Sequence, residues 1–171
     1  MGFILIIVTV LFSYAGFSNG SFFNRYEFEI EKNLIYREYR RLISSGFLHV
    51  GWTHLILNML SLYAFYGSVE SSLGSIFLLL VYFTSLVGGN LFALYIHRNH
   101  GNYSAVGASG AVSGIIFAAI ALFPGIRIGF LGIPFSISGQ SVPCLNFALN
   151  VQRQKFIGVK RYYFDLDFLA N

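Results

Sequence analysis

The chain has 171 residues, of which 56% are apolar and only 11% are charged, against roughly 25% charged in an ordinary soluble domain. Its mean hydropathy of +0.66 rules out intrinsic disorder, and a single cysteine rules out a disulfide scaffold. The net charge of +4 sits on basic residues at segment ends rather than along one stripe, so nucleic acid is not an expected partner, and a lipid bilayer is.

A helix crosses about 30 Å of hydrocarbon with about 20 apolar residues. Residues 2 to 17 form an apolar, uncharged run with no Lys or Arg before it, which reads as a retained first span rather than a signal peptide ending near Ala15. Residues 25 to 41 then hold nine of the eighteen charges. They are mixed with Tyr26, Phe28, Tyr36 and Tyr39, as in a segment lying at the membrane interface. A second span is expected over residues 52 to 69, a third over 75 to 96 and a fourth over 109 to 123, ahead of Pro124-Gly125. A fifth is only begun over residues 126 to 137, where Arg127 and Pro134 interrupt the pattern. The expected fold class is therefore an all-α polytopic bundle with four clear spans and a degraded fifth. Residues 1–138 make up the membrane domain, and 139–171 a divergent tail, polar, basic and aromatic from Arg153 onward.

Span parity puts the starts of the second and fourth spans on one side of the membrane, with Glu70 on the other. His49, His54 and Asn58 stand at the first of these starts. His54 and Asn58 are four residues apart and share a helix face. Polar groups inside a span need partners, which makes them either functional or interhelical glue. At the second start is Gly107-Ala108-Ser109-Gly110. Backbone N–H groups at a helix start and the helix dipole favour an anion, which suits the oxyanion of acyl transfer. The bland reading is that Gly110 and Gly114 are a small-xxx-small packing pair.

Taken together, the run Tyr39 to His49, then His54 and Asn58, then Glu70 with Gly74, and Gly107-Ala108-Ser109-Gly110 resemble the rhomboid family of intramembrane serine proteases. The resemblance covers roughly residues 1 to 138. It implies a six-helix bundle open to water from one face, with a Ser–His dyad below the membrane surface. By position it makes Ser109 the nucleophile and gives the oxyanion hole to His54, Asn58 and the Ser109 N–H, with Gly107 and Gly110 as motif glycines. It gives Arg41 and His49 supporting roles in the first loop, and Glu70 and Gly74 a structural contact on the opposite side. The implied partners are transmembrane protein substrates, and no metal or organic cofactor is implied.

Some positions depart from the pattern. Arg40 stands where the family usually has an aromatic residue, and Ser113 where some members have a tyrosine. The family's general base is a histidine in the sixth helix, followed by glycines that pack it on the fourth. Here the histidines are His49, His54, His97 and His100. Peptidase activity is therefore expected to be absent or very weak, and the Gly110–Gly114 face to be left unpacked. The explanations left open are a frameshift or truncation near Ser138 and a natural member that has lost its base. The alternative function is a rhomboid-like protein that binds transmembrane helices without cutting them. The expected location is the plasma membrane of a bacterium, with the N-terminus cytoplasmic and Ser109 open to the outer face.

Overall fold

An apolar helix in lipid keeps its polar side chains on the face that meets protein. The first helix, α1 (Gly2–Ser18), follows this rule in the computed structural model, which describes residues 1–125 and the backbone of residues 127–129 and 136–138. Its buried stripe is Leu5, Thr9 and Ser13 at four-residue spacing, while Ile4, Leu11 and Tyr14 are exposed. The charged region that follows folds into short pieces: α2 (Gly20–Tyr26), strand β1 (Phe28–Glu29), α3 (Ile30–Leu34), α4 (Arg41–Ser44) and a single 3-10 turn, Ser45–Phe47. Asn19 caps α2 by accepting from the Phe22 N–H. Ile35, Tyr36, Tyr39 and Ile43 are exposed on this region.

The second and third expected spans form one helical run, α5 (Trp52–His97), interrupted at Gly74, where φ is +85° and ψ 166°. Among the described residues α5 is the one helix long and apolar enough to cross a bilayer; α1 and α6 (Ser109–Leu122) are apolar but shorter. Were α5 straight, Trp52 and Asn90 would lie about 57 Å apart at about 1.5 Å per residue. Yet the Asn90 amide donates to Leu42 O at 2.7 Å and to Ser45 Oγ at 3.1 Å. Seven residues from Ser45 to Trp52 reach at most about 25 Å. The chain must therefore fold back at Gly74. A positive φ costs a β-carbon-bearing residue 1–3 kcal/mol or so, which is the reason for glycine there.

Helix α6 packs into this hairpin. Leu55, Leu62, Leu78, Tyr82 and Leu86 of α5 share one core with Ala111, Ile115 and Ala119 of α6 and with Leu5 of α1. A second, smaller core of Phe28, Ile30, Leu42 and Ala93 lies under β1, which pairs antiparallel with β2 (Ser104–Ala105).

Two expectations need correction. The Gly110–Gly114 face is not left unpacked: it rests on the second limb of α5. A β-carbon at Gly114 would fall 2.0 Å from Ser85 Oγ and 2.4 Å from its Cβ, and one at Gly110 would fall 3.6 Å from Ser85 O. The packing reading of that glycine pair thus has a physical basis inside the hairpin itself. Nor is the degraded fifth segment helical where it is described. Arg127–Gly129 (β3) pairs antiparallel with Ser136–Ser138 (β4), with Ile128 opposite Ile137. Gly129, Gly132 and Pro134 disfavour a helix here, and the β-branched isoleucines favour strands. This hairpin belongs to a second unit, Pro124–Asn171, separate from the first, Met1–Phe123. The tail 139–171, with Cys144, Lys155, Lys160, Arg161, Asp165 and Asp167, lies outside the described residues.

Because Ser85 Cβ cannot move away without moving its backbone, Gly114→Ala is expected to push α6 off α5 and to lower stability by about 1–3 kcal/mol. Gly110→Ala, which meets only an ordinary van der Waals contact, is expected to stay within about 0.5 kcal/mol of the parent on packing. Unfolding in detergent micelles, followed by helical circular dichroism, compares the two.

Candidate active site

Ser109 is the first residue of α6, and its side chain is exposed. The backbone that leads into it is tied at two successive residues. Gly107 N–H donates to Ser45 O at 3.0 Å, and Ala108 N–H donates to His49 Nε2 at a long 3.4 Å. Gly107 has a φ of +126° and lies against the His54 ring, so that a β-carbon there would fall 2.6 Å from His54 Cε1. Two demands, one conformational and one steric, therefore call for glycine at this position. The same contact brings the start of the second expected span to the start of the fourth, as parity requires.

His49 is fully buried in the loop before α5, and its ring lies 4.9 Å from that of His54, edge to face. Burial, and secondarily the His54 ring, push it down to about 4, so it is neutral at ordinary pH. His49 Nδ1 lies 2.9 Å from Ser13 Oγ. The half-buried His54 ring thus lies against both His49 and Gly107. Asn58, one turn along α5 and 8% exposed, donates through Nδ2 to His54 O at 2.9 Å. The described bond of Asn58 thus goes to its own helix rather than to α6.

Arg41 is 4% exposed, a position a guanidinium occupies only with full pairing. Its Nη1 donates to Asn24 O and Glu27 O, both at 2.8 Å, where α2 ends, and its Nε donates to Glu38. The guanidinium thus closes the C-terminal end of α2, a favourable place for a cation. Arg40 points outward and pairs with Glu38 at 3.5 Å. Glu70 stands at the other end of the hairpin. It accepts from Ser75 Oγ at 2.6 Å, from Gly2 N–H at 3.3 Å and from the Met1 amino group, joining the break at Gly74 to the first turn of α1. His97 stacks flat on Tyr103 at 3.8 Å, and His100 lies 6.0 Å from His97, in the loop after α5.

Three residues of this arrangement are not singled out by sequence reasoning: Ser13, Ser45 and Asn90. Each is a polar residue in or beside an apolar run, placed on the buried or half-buried face of its element. Their spacing is the available signal: Ser13 continues the Leu5–Thr9 stripe of α1 at four-residue steps.

Comparison with known proteins settles the family. A model of the rhomboid domain matches residues 36–160, most of the chain and past the boundary expected at residue 138. The chain belongs to the rhomboid family. It is accordingly a mostly helical, membrane-embedded rhomboid protein. YdcA of Bacillus subtilis is 38% identical over 94 residues, covering 54% of this chain and 46% of YdcA. Rhomboid protein 1, mitochondrial, of Saccharomyces cerevisiae is 34% identical over 90 residues, 51% of this chain and 26% of that protein. Rhomboid-like protein 16, chloroplastic, of Arabidopsis thaliana is 48% identical over 56 residues, 33% of this chain and 17% of that protein. The aligned part is less than half the length of each of these relatives.

Two outcomes follow from the site of this rhomboid. Gly107→Ala is expected to cost about 1–3 kcal/mol for the backbone alone and to displace the His54 ring, read as a shift of the His54 imidazole resonances in the otherwise folded protein. Glu38 is held below the ordinary carboxylate range, chiefly by its hydrogen bond from Arg41. A carboxylate lowered in the folded state contributes stability above its unfolded pKa and loses it as pH falls through the lowered value. The thermal midpoint of the parent should therefore drop more steeply on acidification than that of Glu38→Gln, and the two curves should converge at acid pH.

Proposed function

We propose that this chain carries the acyl-transfer site of a rhomboid intramembrane serine peptidase, with Ser109 as nucleophile, and that within this chain the site has no general base. The observation that carries the reading is the packing of His54 on Gly107, two residues ahead of an exposed serine at a helix start. In this reading His54, Asn58 and the Ser109 N–H are oxyanion donors, each worth about 2.7–4 kcal/mol in the transition state. Gly107 and Gly110 let the backbone approach them. Arg41 and His49 hold the first loop, and Glu70 with Gly74 holds the reversal at the opposite side.

Ser109 attacks the scissile carbonyl of a transmembrane substrate, the carbonyl π electrons move to oxygen, and the donors hold the resulting oxyanion. Collapse to an acyl-enzyme expels the amine, and water releases the acid. The serine proton needs an acceptor in the first step and the leaving amine needs a donor. No histidine follows His100 in the chain, His97 is engaged by its stack on Tyr103, and His49 is already bonded by Ala108 N–H and Ser13. In a soluble serine protease, loss of the base histidine lowers kcat about 10⁶-fold.

The four apolar segments are read as spans: α1, residues 52–73, residues 75–97 and α6. Four spans place both chain ends of the bundle on one side and Ser109 on the outer face, with the N-terminus cytoplasmic. The relatives are bacterial, mitochondrial and chloroplastic by organism and name. We assign the plasma membrane of a bacterium because YdcA aligns over the larger share of this chain.

Purified chain in detergent with a labelled transmembrane substrate tests the proposal. Cleavage should stay at the level of Ser109→Ala, and added imidazole should restore slow cleavage that Ser109→Ala lacks. Ser109-dependent cleavage without imidazole would show that a base is present after all. Stable association with substrate and no cleavage under either condition would favour the helix-binding alternative.

A further inference from the structure

Ser13 lies on the buried face of α1, far in sequence from Ser109, and no part of the proposed chemistry uses it. Its hydroxyl makes two contacts: Phe47 O at 2.7 Å and His49 Nδ1 at 2.9 Å. A carbonyl only accepts, so the single hydroxyl proton is committed to Phe47 O. The Ser13 oxygen must then accept from His49, which requires the proton of the neutral ring to be on Nδ1. At the other side of the ring, Ala108 N–H only donates, so Nε2 must be the bare acceptor. Two independent constraints, one from α1 and one from the backbone before α6, thus select the same tautomer. The opposite tautomer would set the Nε2–H against the Ala108 N–H, donor against donor.

We infer that Ser13 is a positioning residue: by fixing the His49 tautomer it fixes the backbone at Ala108 and hence the entry of Ser109 into α6. The inference rests on the proposed role of Ser109 for its consequence, but not for its geometry. α1 is then more than a packing helix; it reaches through one ring to the residue before the nucleophile. Neutrality of His49, which follows from its burial, is what leaves the tautomer open to such control.

The test uses the full chain in micelles, with ¹⁵N-labelled histidine and amide hydrogen exchange, in the parent, Ser13→Ala and Ser13→Thr. The parent should show Nδ1–H at His49. Ser13→Ala should populate the Nε2–H form to a comparable level and speed exchange of the Ala108 amide about tenfold. Exchange at Gly107, held separately by Ser45 O, should change less than twofold. Ser13→Thr, which keeps the hydroxyl, should restore both readouts. An unchanged tautomer and unchanged Ala108 exchange in Ser13→Ala would overturn the inference. So would a uniform rise in exchange across α1 and α5, the mark of a purely structural role. None of these readouts depends on Ser109 reactivity, so a failed cleavage assay and a failed tautomer assay count against different claims.

Discussion

The reversal of the chain at Gly74 is the constraint on which the remaining contacts depend. Without it the second limb of α5 would carry Ser85, Leu86 and Asn90 tens of ångströms away from the first loop. With it, Leu86 packs on Gly46, Asn90 bonds Leu42 and Ser45, and Ser85 presents its carbonyl to Gly110 and its side chain to Gly114. The break is held by more than a glycine. Glu70 binds Ser75 across it and ties it to the first turn of α1, so a single carboxylate joins three helical starts and ends at one side. A shared acceptor of this kind keeps the turn closed by satisfying several donors at once.

At the opposite end the same economy operates with more partners. Ser45 accepts from Asn90 through its hydroxyl and from both Leu48 and Gly107 through its carbonyl. His49 serves two others, Ser13 and Ala108. The result is that the two residues ahead of α6 are tied to the first loop at Ser45 and His49, and through these to the second limb and to α1. Ser109 itself stays exposed. A serine set on a held backbone but open on its own face is the arrangement the proposed acyl transfer needs, because the donors must be in place before the charge develops.

The charged segment, residues 25–41, obeys a related rule. Its nine charges look, as a list, like a solvated stretch. Two of them, Glu27 and Arg41, are buried instead, and the Arg41 guanidinium is spent on the end of α2 and on Glu38. Around it Ile35, Tyr36 and Tyr39 remain exposed, the apolar and amphipathic surface expected at the depth where hydrocarbon gives way to water. The buried cation follows from its full pairing, and the exposed isoleucine suits a surface that meets lipid.

The sequence by itself determined the apolar segments, their ends and the motif residues, because these depend on local composition and spacing. The helix that begins at Ser109 stops just before Pro124-Gly125, and α5 breaks at Gly74 between the second and third expected spans. The membership in a family was legible too, since His54, Asn58 and Gly107-Ala108-Ser109-Gly110 keep their order and spacing. Tertiary structure decided the partners. That Gly110 and Gly114 find Ser85 inside the hairpin, rather than waiting for a later helix, depends on a contact between residues some 25–30 positions apart, which no local pattern encodes. The pairing of β3 with β4 had the same origin: an apolar run of this length is ambiguous by periodicity, and the pairing of its two ends resolves it. Ser13, Ser45 and Asn90 were ordinary polar residues until the fold gave each a buried acceptor or donor to satisfy.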